Sequence, residues 1–441
     1  MMHTVPVQHS RTLSQAANRF LDDLRAWALQ CIEEHQVGNG HDQATFTTAW
    51  TPCIRNGQGD DLLAYMLRYR DEIRERFERP HLWKHGYWTF GESHHGTEHF
   101  ELFLGTLLQL APDDAETHRQ LIDAAEHFGN WVSDIPEWFD WNTGLFRSMY
   151  FGTHRVRLLP GSQLNVADHL RCLNVCLLAH QAGGGERFLH LARANGGLWA
   201  DAVCNRPDAL PAGLLPDGAV YSIARNSDSV YHGFVGMAGD LADPIDVAEN
   251  LLASGGVNLM LYLWRLTTED RFRNAAERIV DVLATQLDDP DAGAAADAIR
   301  TYRRATTSQR FDECVLAATD RLPATQVAEM GVETHKREGL RLGGVGKRND
   351  KPNWFEDGQP ARRNPILLAL AAEIRMDEAL AVTAMDLAHT RFLAARRALA
   401  GNLHHGCAAN TVSAIARGHG RENNAGMATA VLAPLLDVFT D

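Results

Sequence analysis

No stretch of this 441-residue chain approaches the roughly 18 consecutive apolar residues that span a bilayer, and its first residues lack the apolar core of a secretory signal. It also lacks a C-x-x-C pair and any Lys/Arg block, and its formal net charge is -14. We therefore expect neither nucleic acid nor a membrane as a partner. Seven scattered cysteines are typical of reduced thiols, so a cytoplasmic protein is expected, with a secreted or periplasmic mature form as the open alternative.

Helical periodicity is what the sequence has in abundance, while strand patterns are sparse. The main predicted helices are 12–36, 60–78, 91–110, 113–132, 164–182, 186–204, 245–266, 269–287 and 376–400. Long loops are predicted at 134–161, 205–244 and 337–364. Because mostly apolar helices alternate with half-polar ones, we predict an all-α fold, a single domain over 1–441 with paired inner and outer helices.

Two segments illustrate this pairing. They are SHHGTEHFELFLGTLLQL followed by DDAETHRQLIDAAEHFGNWV, and LNVADHLRCLNVCLLAHQAGGGERFLHLARANGGLWADAV. Over about residues 90–290 the chain resembles the (α/α)-toroid carbohydrate-active enzymes, which include polysaccharide lyases, glycoside hydrolases and sugar epimerases. The likeness is one of architecture. It implies a toroid or incomplete barrel and an anionic carbohydrate substrate, and we expect a monomer or homodimer.

Polar residues cluster at the starts of alternate helices. If those helices run parallel, their starts meet at one end of the toroid and form a pocket. The catalytic candidates are His95, His99, His169, Tyr150 and Tyr231. The substrate-binding candidates are Glu98, Asn165, Arg171, Trp141, His232, Lys347, Arg348, His404, His405 and Asn410. The structural alternative for each cluster is N-capping and solvation of a helix end.

These residue types suit β-elimination from a uronic acid. Asn or Arg can neutralise the uronate carboxylate, His or Tyr can remove the C5 proton, and Tyr can protonate the departing oxygen. Asn165 and His169 are predicted to share a helix face and to divide the first two tasks. We therefore expect a lyase that cleaves uronic-acid-containing poly- or oligosaccharides.

Three further functions stay open. A glycoside hydrolase would need paired carboxylates, such as Glu98 or Glu101 with Asp140 or Asp168. A sugar epimerase would use two histidines on opposite faces of the sugar. A non-catalytic helical binding protein would explain the helices but not the repeated polar clusters at their starts.

A metal-dependent alternative comes from one short motif. His95-x-x-Glu98-His99 matches the H-x-x-E-H signature of a zinc metallopeptidase, in which two histidines one helical turn apart share Zn²⁺ and the glutamate acts as a base. That class needs strands before the motif, where this sequence predicts helices and an aromatic connector. No cofactor is firmly predicted, and a divalent metal (Zn²⁺ or Ca²⁺), with His95 and His99 as ligands, is an open alternative.

Overall fold

The computed structural model describes residues 12–35, 37, 44–93, 97–205, 209–221, 244–288, 293–321, 364–398 and 428–439. Its α-helices are α1 (Leu13–Glu33), α2 (Thr51–Arg55), α3 (Asp60–Glu78), α4 (Gly105–Leu110), α5 (Ala115–Ala125), α6 (His169–Ala179), α7 (Glu186–Cys204), α8 (Pro244–Ala253), α9 (Gly256–Thr267), α10 (Asp270–Ala284), α11 (Gly293–Thr306), α12 (Asp312–Arg321), α13 (Pro365–Arg375), α14 (Glu378–Ala398) and α15 (Ala433–Phe439). A 3₁₀-helix spans Thr45–Trp50, and π-helical turns span His99–Leu104, His180–Gly184 and Ala428–Leu432. The predicted all-α class is confirmed.

Local sequence signals explain where several helices begin. Thr12 and Gln15 form a capping box at the start of α1, in which each side chain bonds the other residue's backbone N–H. The Asp114 carboxylate accepts from the Thr117 N–H and caps α5. Asn364 caps α13, whose first residue, Pro365, has no N–H to satisfy. These devices satisfy backbone donors that a helix end would otherwise leave unpaired.

Four predicted helices differ from the structure. The predicted helix 113–132 ends already at Ala125. The predicted helix 91–110 is α-helical only from Gly105, after a π-helical turn. The predicted helix 164–182 begins at His169, because Asn165 instead forms a bridge with Leu214. The predicted helix 245–266 is two helices, interrupted at Gly255, which adopts a φ of 71°. A left-handed conformation of this kind strongly favours glycine.

Eight short antiparallel strands are present in the described residues: five lie in the predicted loops 134–161 and 205–244, and three lie before them, between residues 83 and 92. They pair as β1 (Trp83–Lys84) with β2 (Tyr87–Trp88), β3 (Gly91–Glu92) with β6 (Tyr150–Phe151), β4 (Phe139–Asp140) with β5 (Leu145–Phe146), and β7 (Gly213–Leu214) with β8 (Val220–Tyr221). The interval 134–161 therefore contains ordered hairpin structure around a buried Trp138. The predicted loop 337–364 lies outside the described residues except for Asn364.

Helices adjacent in sequence pack as pairs: α6 with α7, α9 with α10, and α13 with α14. Most residues of α6 and the first eight residues of α13 are buried, whereas α1 and α10 bury one face. The first helix also packs against α14, where His389 Nε2 lies 2.8 Å from an Asp23 carboxylate oxygen. This pairing agrees with inner and outer layers, and the closed toroid stays a prediction. None of the helices in the described ranges is long and apolar enough to cross a membrane.

Candidate functional site

A cavity of about 490 Å³ lies among four helical segments. They are His99–Leu104 with α4, α6 with the π-helical turn that follows it, α9, and α11. The polar residues that line it are Glu101, Thr106, Gln109, Asn174, Gln181, Asn258, Tyr262, Arg265 and Thr301. Leucines, Gly105 and Ala305 complete the wall. A volume in this range suits a small-molecule ligand held by a few polar groups in an otherwise apolar pocket. We call this space the helix-lined cavity.

Glu101 enters this cavity from the π-helical turn His99–Leu104. Single π-helical turns occur frequently at functional sites because the wider turn changes the direction of its side chains. The two carboxylate oxygens of Glu101 accept hydrogen bonds from Arg171 Nη1 at 2.5 Å and Asn174 Nδ2 at 2.6 Å. Only 9% of the Glu101 side chain is exposed. The carboxylate is thus held in one orientation by two groups of α6.

Arg171 links this carboxylate to the break between α8 and α9. Its Nη2 donates to the Ala253 carbonyl at 2.5 Å, and its Nε lies 3.8 Å from Asp168 Oδ1. Asp168 in turn accepts from the Ser254 hydroxyl.

A Cβ added at Gly255 would collide with Asn174 and Glu101, so the glycine lets the backbone approach this cluster closely.

Burial raises the pKa of the Glu101 carboxyl, and the neighbouring Glu98 carboxylate raises it further. Arg171 and Asn174 oppose the shift because both stabilise the ionised form. The net direction is upward, so Glu101 holds its proton at a higher pH than a solvated glutamate. A carboxyl of this kind beside a cavity is suited to proton transfer.

Helix α9 contributes a polar stripe to the cavity wall. Asn258, Tyr262 and Arg265 follow one another at spacings of four and three residues and therefore share one face. Arg265 is exposed, and no carboxylate among the described residues forms an ion pair with it. This guanidinium is therefore available to an anionic ligand.

Asn165 and His169 occupy a different environment. The Asn165 side chain bonds the N–H and carbonyl of Phe146, at 2.9 and 2.7 Å. His169 is fully buried, with Nδ1 beside Val166 main-chain atoms, Nε2 3.1 Å from the Ser148 carbonyl, and its ring stacked on Phe146. Burial lowers the pKa of His169 to about 4. We call this cluster the buried junction. The geometry favours a structural role, and the proton transfer expected of His169 stays a prediction.

The structure does not place Asn165 and His169 on one helix face, as the sequence predicted, and it does not place them in the helix-lined cavity. Asn165 precedes the first residue of α6 and belongs to a bridge with Leu214, so the two residues are not one turn apart on a helix. Neither residue lines the helix-lined cavity. Both instead hold the segment around Phe146 and Ser148 against the start of α6.

His99 and Glu98 are both buried. The His99 ring packs against Trp83 and Phe103, and burial lowers its pKa to about 3. Its Nδ1 has no hydrogen-bond partner among the described residues. The proposed metal partner, His95, lies outside those residues, so the predicted pair remains untested.

Tyr150 and Trp141 lie in the hairpin region. Tyr150 belongs to β6, and its ring faces the Arg157 guanidinium. Trp141 is 42% exposed, stacks on His190, and donates from Nε1 to the Gly129 carbonyl. Neither lines the helix-lined cavity. The other candidates lie outside the described residues: Tyr231, His232, Lys347, Arg348, His404, His405 and Asn410.

The structure therefore joins two of the predicted polar clusters through Arg171 and Glu101. The sequence analysis placed Glu101 in a polar cluster expected to line the site but assigned it a catalytic role only in a hydrolase, and it did not select Asn174, Asn258, Tyr262 or Arg265. A signal for the last three was present, because their spacing makes one polar stripe along the apolar helix GVNLMLYLWRLT. Comparison of the chain with protein-family models, curated proteins and solved structures finds no match.

Proposed function

We propose that this protein is a carbohydrate-active enzyme, a lyase that acts on a uronic-acid-containing saccharide bound in the helix-lined cavity. The observation that carries the proposal is the composition of the cavity wall. It combines a carboxyl with a raised pKa, a tyrosine, several amides and a guanidinium without a carboxylate partner among the described residues. Amides and a guanidinium are suited to sugar hydroxyls and a sugar carboxylate, respectively.

The same wall favours elimination over two-carboxylate hydrolysis. Glu101 is the one acidic residue among the described residues that line the cavity. Asp168, the partner considered for a hydrolase, lies instead against Arg171 and the Ser254 hydroxyl. A glycosidase requires two carboxyl groups that flank the scissile bond. Elimination requires one base, one acid and a group that neutralises the uronate.

In the proposed reaction, Arg265 binds the uronate carboxylate and makes the C5 proton more acidic. Tyr262, one turn away on α9, removes that proton in its phenolate form and becomes the neutral phenol. The C4–O4 bond then breaks as a C4=C5 double bond forms. Glu101, in its protonated form, gives a proton to the departing oxygen. The amides of Asn174 and Asn258 hold the sugar hydroxyls.

The direct test is incubation of the full chain with uronic-acid-containing oligosaccharides while ultraviolet absorbance is recorded. Elimination creates an absorbing unsaturated uronate, and hydrolysis does not. Replacing Arg265→Met should lower kcat/KM by about 10²-fold, because a charge-assisted contact to the substrate is lost. Arg119→Met, which removes an exposed arginine paired with Glu116 on α5, should leave kcat/KM unchanged.

A methyl ester of the same substrate tests whether Arg265 binds the substrate carboxylate. Because the ester has no negative charge, wild type and Arg265→Met should process it equally. Cleavage without new absorbance would show that the protein is a hydrolase and not a lyase. Binding without any turnover would support the non-catalytic alternative, and an Arg265→Met variant with unchanged kcat/KM on the free acid would remove this residue from the site.

A further inference from the structure

Outside the helix-lined cavity, a second group of side chains has the composition of a metal site. His85 lies in the turn between β1 and β2, Asp123 is in the last turn of α5, and His127 follows that helix. One donor atom from each of these residues lies within 4.8 Å of the other two. Within the described part of the chain, this is the one such group of three or more histidine, cysteine or acidic side chains.

His127 supplies an independent observation. Its Nδ1 lies 2.7 Å from the Asp123 carbonyl oxygen, so Nδ1 carries the proton and donates it. In that tautomer Nε2 carries a lone pair. This atom is buried and has no hydrogen-bond partner among the described residues. An unsatisfied buried nitrogen is unfavourable, and coordination of a cation would satisfy it.

The surroundings of the other two residues also match a metal site. His85 Nδ1 lies 2.9 Å from Asp123 Oδ1, and its Nε2 lies 2.9 Å from Asp134 Oδ2. The second oxygen of Asp123 accepts from Arg74 Nη2 at 2.8 Å. Metal-binding histidines usually donate their second ring N–H to a carboxylate or a backbone carbonyl. Asp134 can accept this hydrogen bond from His85, and the Asp123 carbonyl accepts it from His127.

We propose that His85, Asp123 and His127 bind one divalent transition-metal ion of the Zn²⁺ type. Two imidazoles and one carboxylate are a ligand set that Zn²⁺ accepts, with a water molecule in the remaining position. About a quarter of the His85 side chain is exposed, which leaves access for the ion and that water. The bound ion ties the β1–β2 turn to the end of α5, away from the residues that line the helix-lined cavity.

The principal test is titration of the metal-free full chain with Zn²⁺ by calorimetry, and with Co²⁺ by visible absorption. We expect one ion per chain, a Co²⁺ spectrum of low coordination number, and a thermal midpoint that rises with Zn²⁺ concentration. His127→Gln should weaken binding by at least about 100-fold. Asp134→Asn, an exposed change outside the ligand set, should weaken it about 10- to 100-fold.

Two histidine variants provide the controls. His118→Gln alters a histidine of α5 that contacts the Pro112 carbonyl, and His99→Gln alters the other metal candidate. Both should bind Zn²⁺ as wild type does. The proposal is overturned if wild type binds no Zn²⁺, or if His127→Gln and Asp134→Asn both bind it with unchanged affinity. It is also overturned if binding disappears in His99→Gln alone. Because Asp134→Asn changes an exposed side chain, its result does not depend on whether His127→Gln folds.

Discussion

The helix-lined cavity and the buried junction both use polar residues at or just before the first two turns of α6, yet they use these side chains in opposite ways. At the junction, Asn165 and His169 bond main-chain groups of the segment that contains Phe146 and Ser148. At the cavity, Arg171 and Asn174 hold a carboxylate that also faces open space. A polar side chain whose partners are all protein groups stabilises the fold. One that is oriented by the protein beside a cavity can still meet a ligand.

The largest expected effect concerns Glu101. Glu101→Gln keeps the size of the side chain and an oxygen acceptor for Asn174 but removes the transferable proton. We expect turnover on the proposed substrate to fall about 10²- to 10⁴-fold. Glu137→Gln, an exposed change, is the matched control. A Glu101→Gln variant with wild-type turnover would show that the cavity and the junction do not differ in function as proposed.

Arg171 tests the connection between the two regions. Arg171→Met removes the buried cation and leaves Glu101 and Asp168 without their guanidinium partner. Breaking a buried ion pair from one side lowers the free energy of unfolding by about 3–5 kcal/mol. Arg25→Met, at an exposed pair with Asp61, should change it by less than about 1 kcal/mol. Urea unfolding of both variants makes this comparison, and equal losses would contradict it.

His169→Ala should lower the free energy of unfolding and leave turnover unchanged. The change leaves a cavity and removes the partner of the Ser148 carbonyl, so we expect a loss of about 2–4 kcal/mol in the free energy of unfolding. Turnover per folded molecule should stay at the wild-type level. The catalytic role expected from the sequence predicts the reverse result, a stable protein with greatly reduced turnover.

The junction also predicts a dependence of stability on pH. Burial lowers the pKa of His169 from 6.5 to about 4, so between these values the unfolded chain binds more protons than the folded one. Stability therefore falls as pH falls through this window, by about 2 kcal/mol from His169 between pH 7 and pH 5. His169→Gln should lose that contribution. Parallel stability curves for wild type and His169→Gln would contradict the assignment.

The contribution of Glu101 to stability should change with pH in the opposite direction from that of His169, which distinguishes the cavity from the junction. The pKa of Glu101 is raised, so between pH 4.5 and the folded-state pKa the folded protein binds more protons than the unfolded chain. The contribution of Glu101 to the free energy of unfolding therefore decreases as pH rises through its folded-state pKa. A stability curve of Glu101→Gln that differs from wild type only below pH 4 would contradict the raised pKa.

Local sequence patterns were enough to predict the all-α class and many helix bounds. Periodic apolar faces and local caps act over a few residues, and this is why α1, α3 and α7 begin and end close to the predicted positions. The sequence also marked Glu98, Arg171 and the cluster around Glu101 as polar groups near helix starts. These features depend on neighbours in the chain.

Which polar groups lie together depends on how the helices pack in three dimensions. Arg171 and Glu101 are 70 residues apart, and Arg171 meets the Ala253 carbonyl 82 residues away. The start of α6 depends on a bridge between Asn165 and Leu214, and the π-helical turn sets where Glu101 faces. Contacts over such separations depend on how helices pack, which one-dimensional periodicity does not encode. For the same reason, the sequence could not separate a histidine enclosed by main-chain carbonyls from one that faces a cavity.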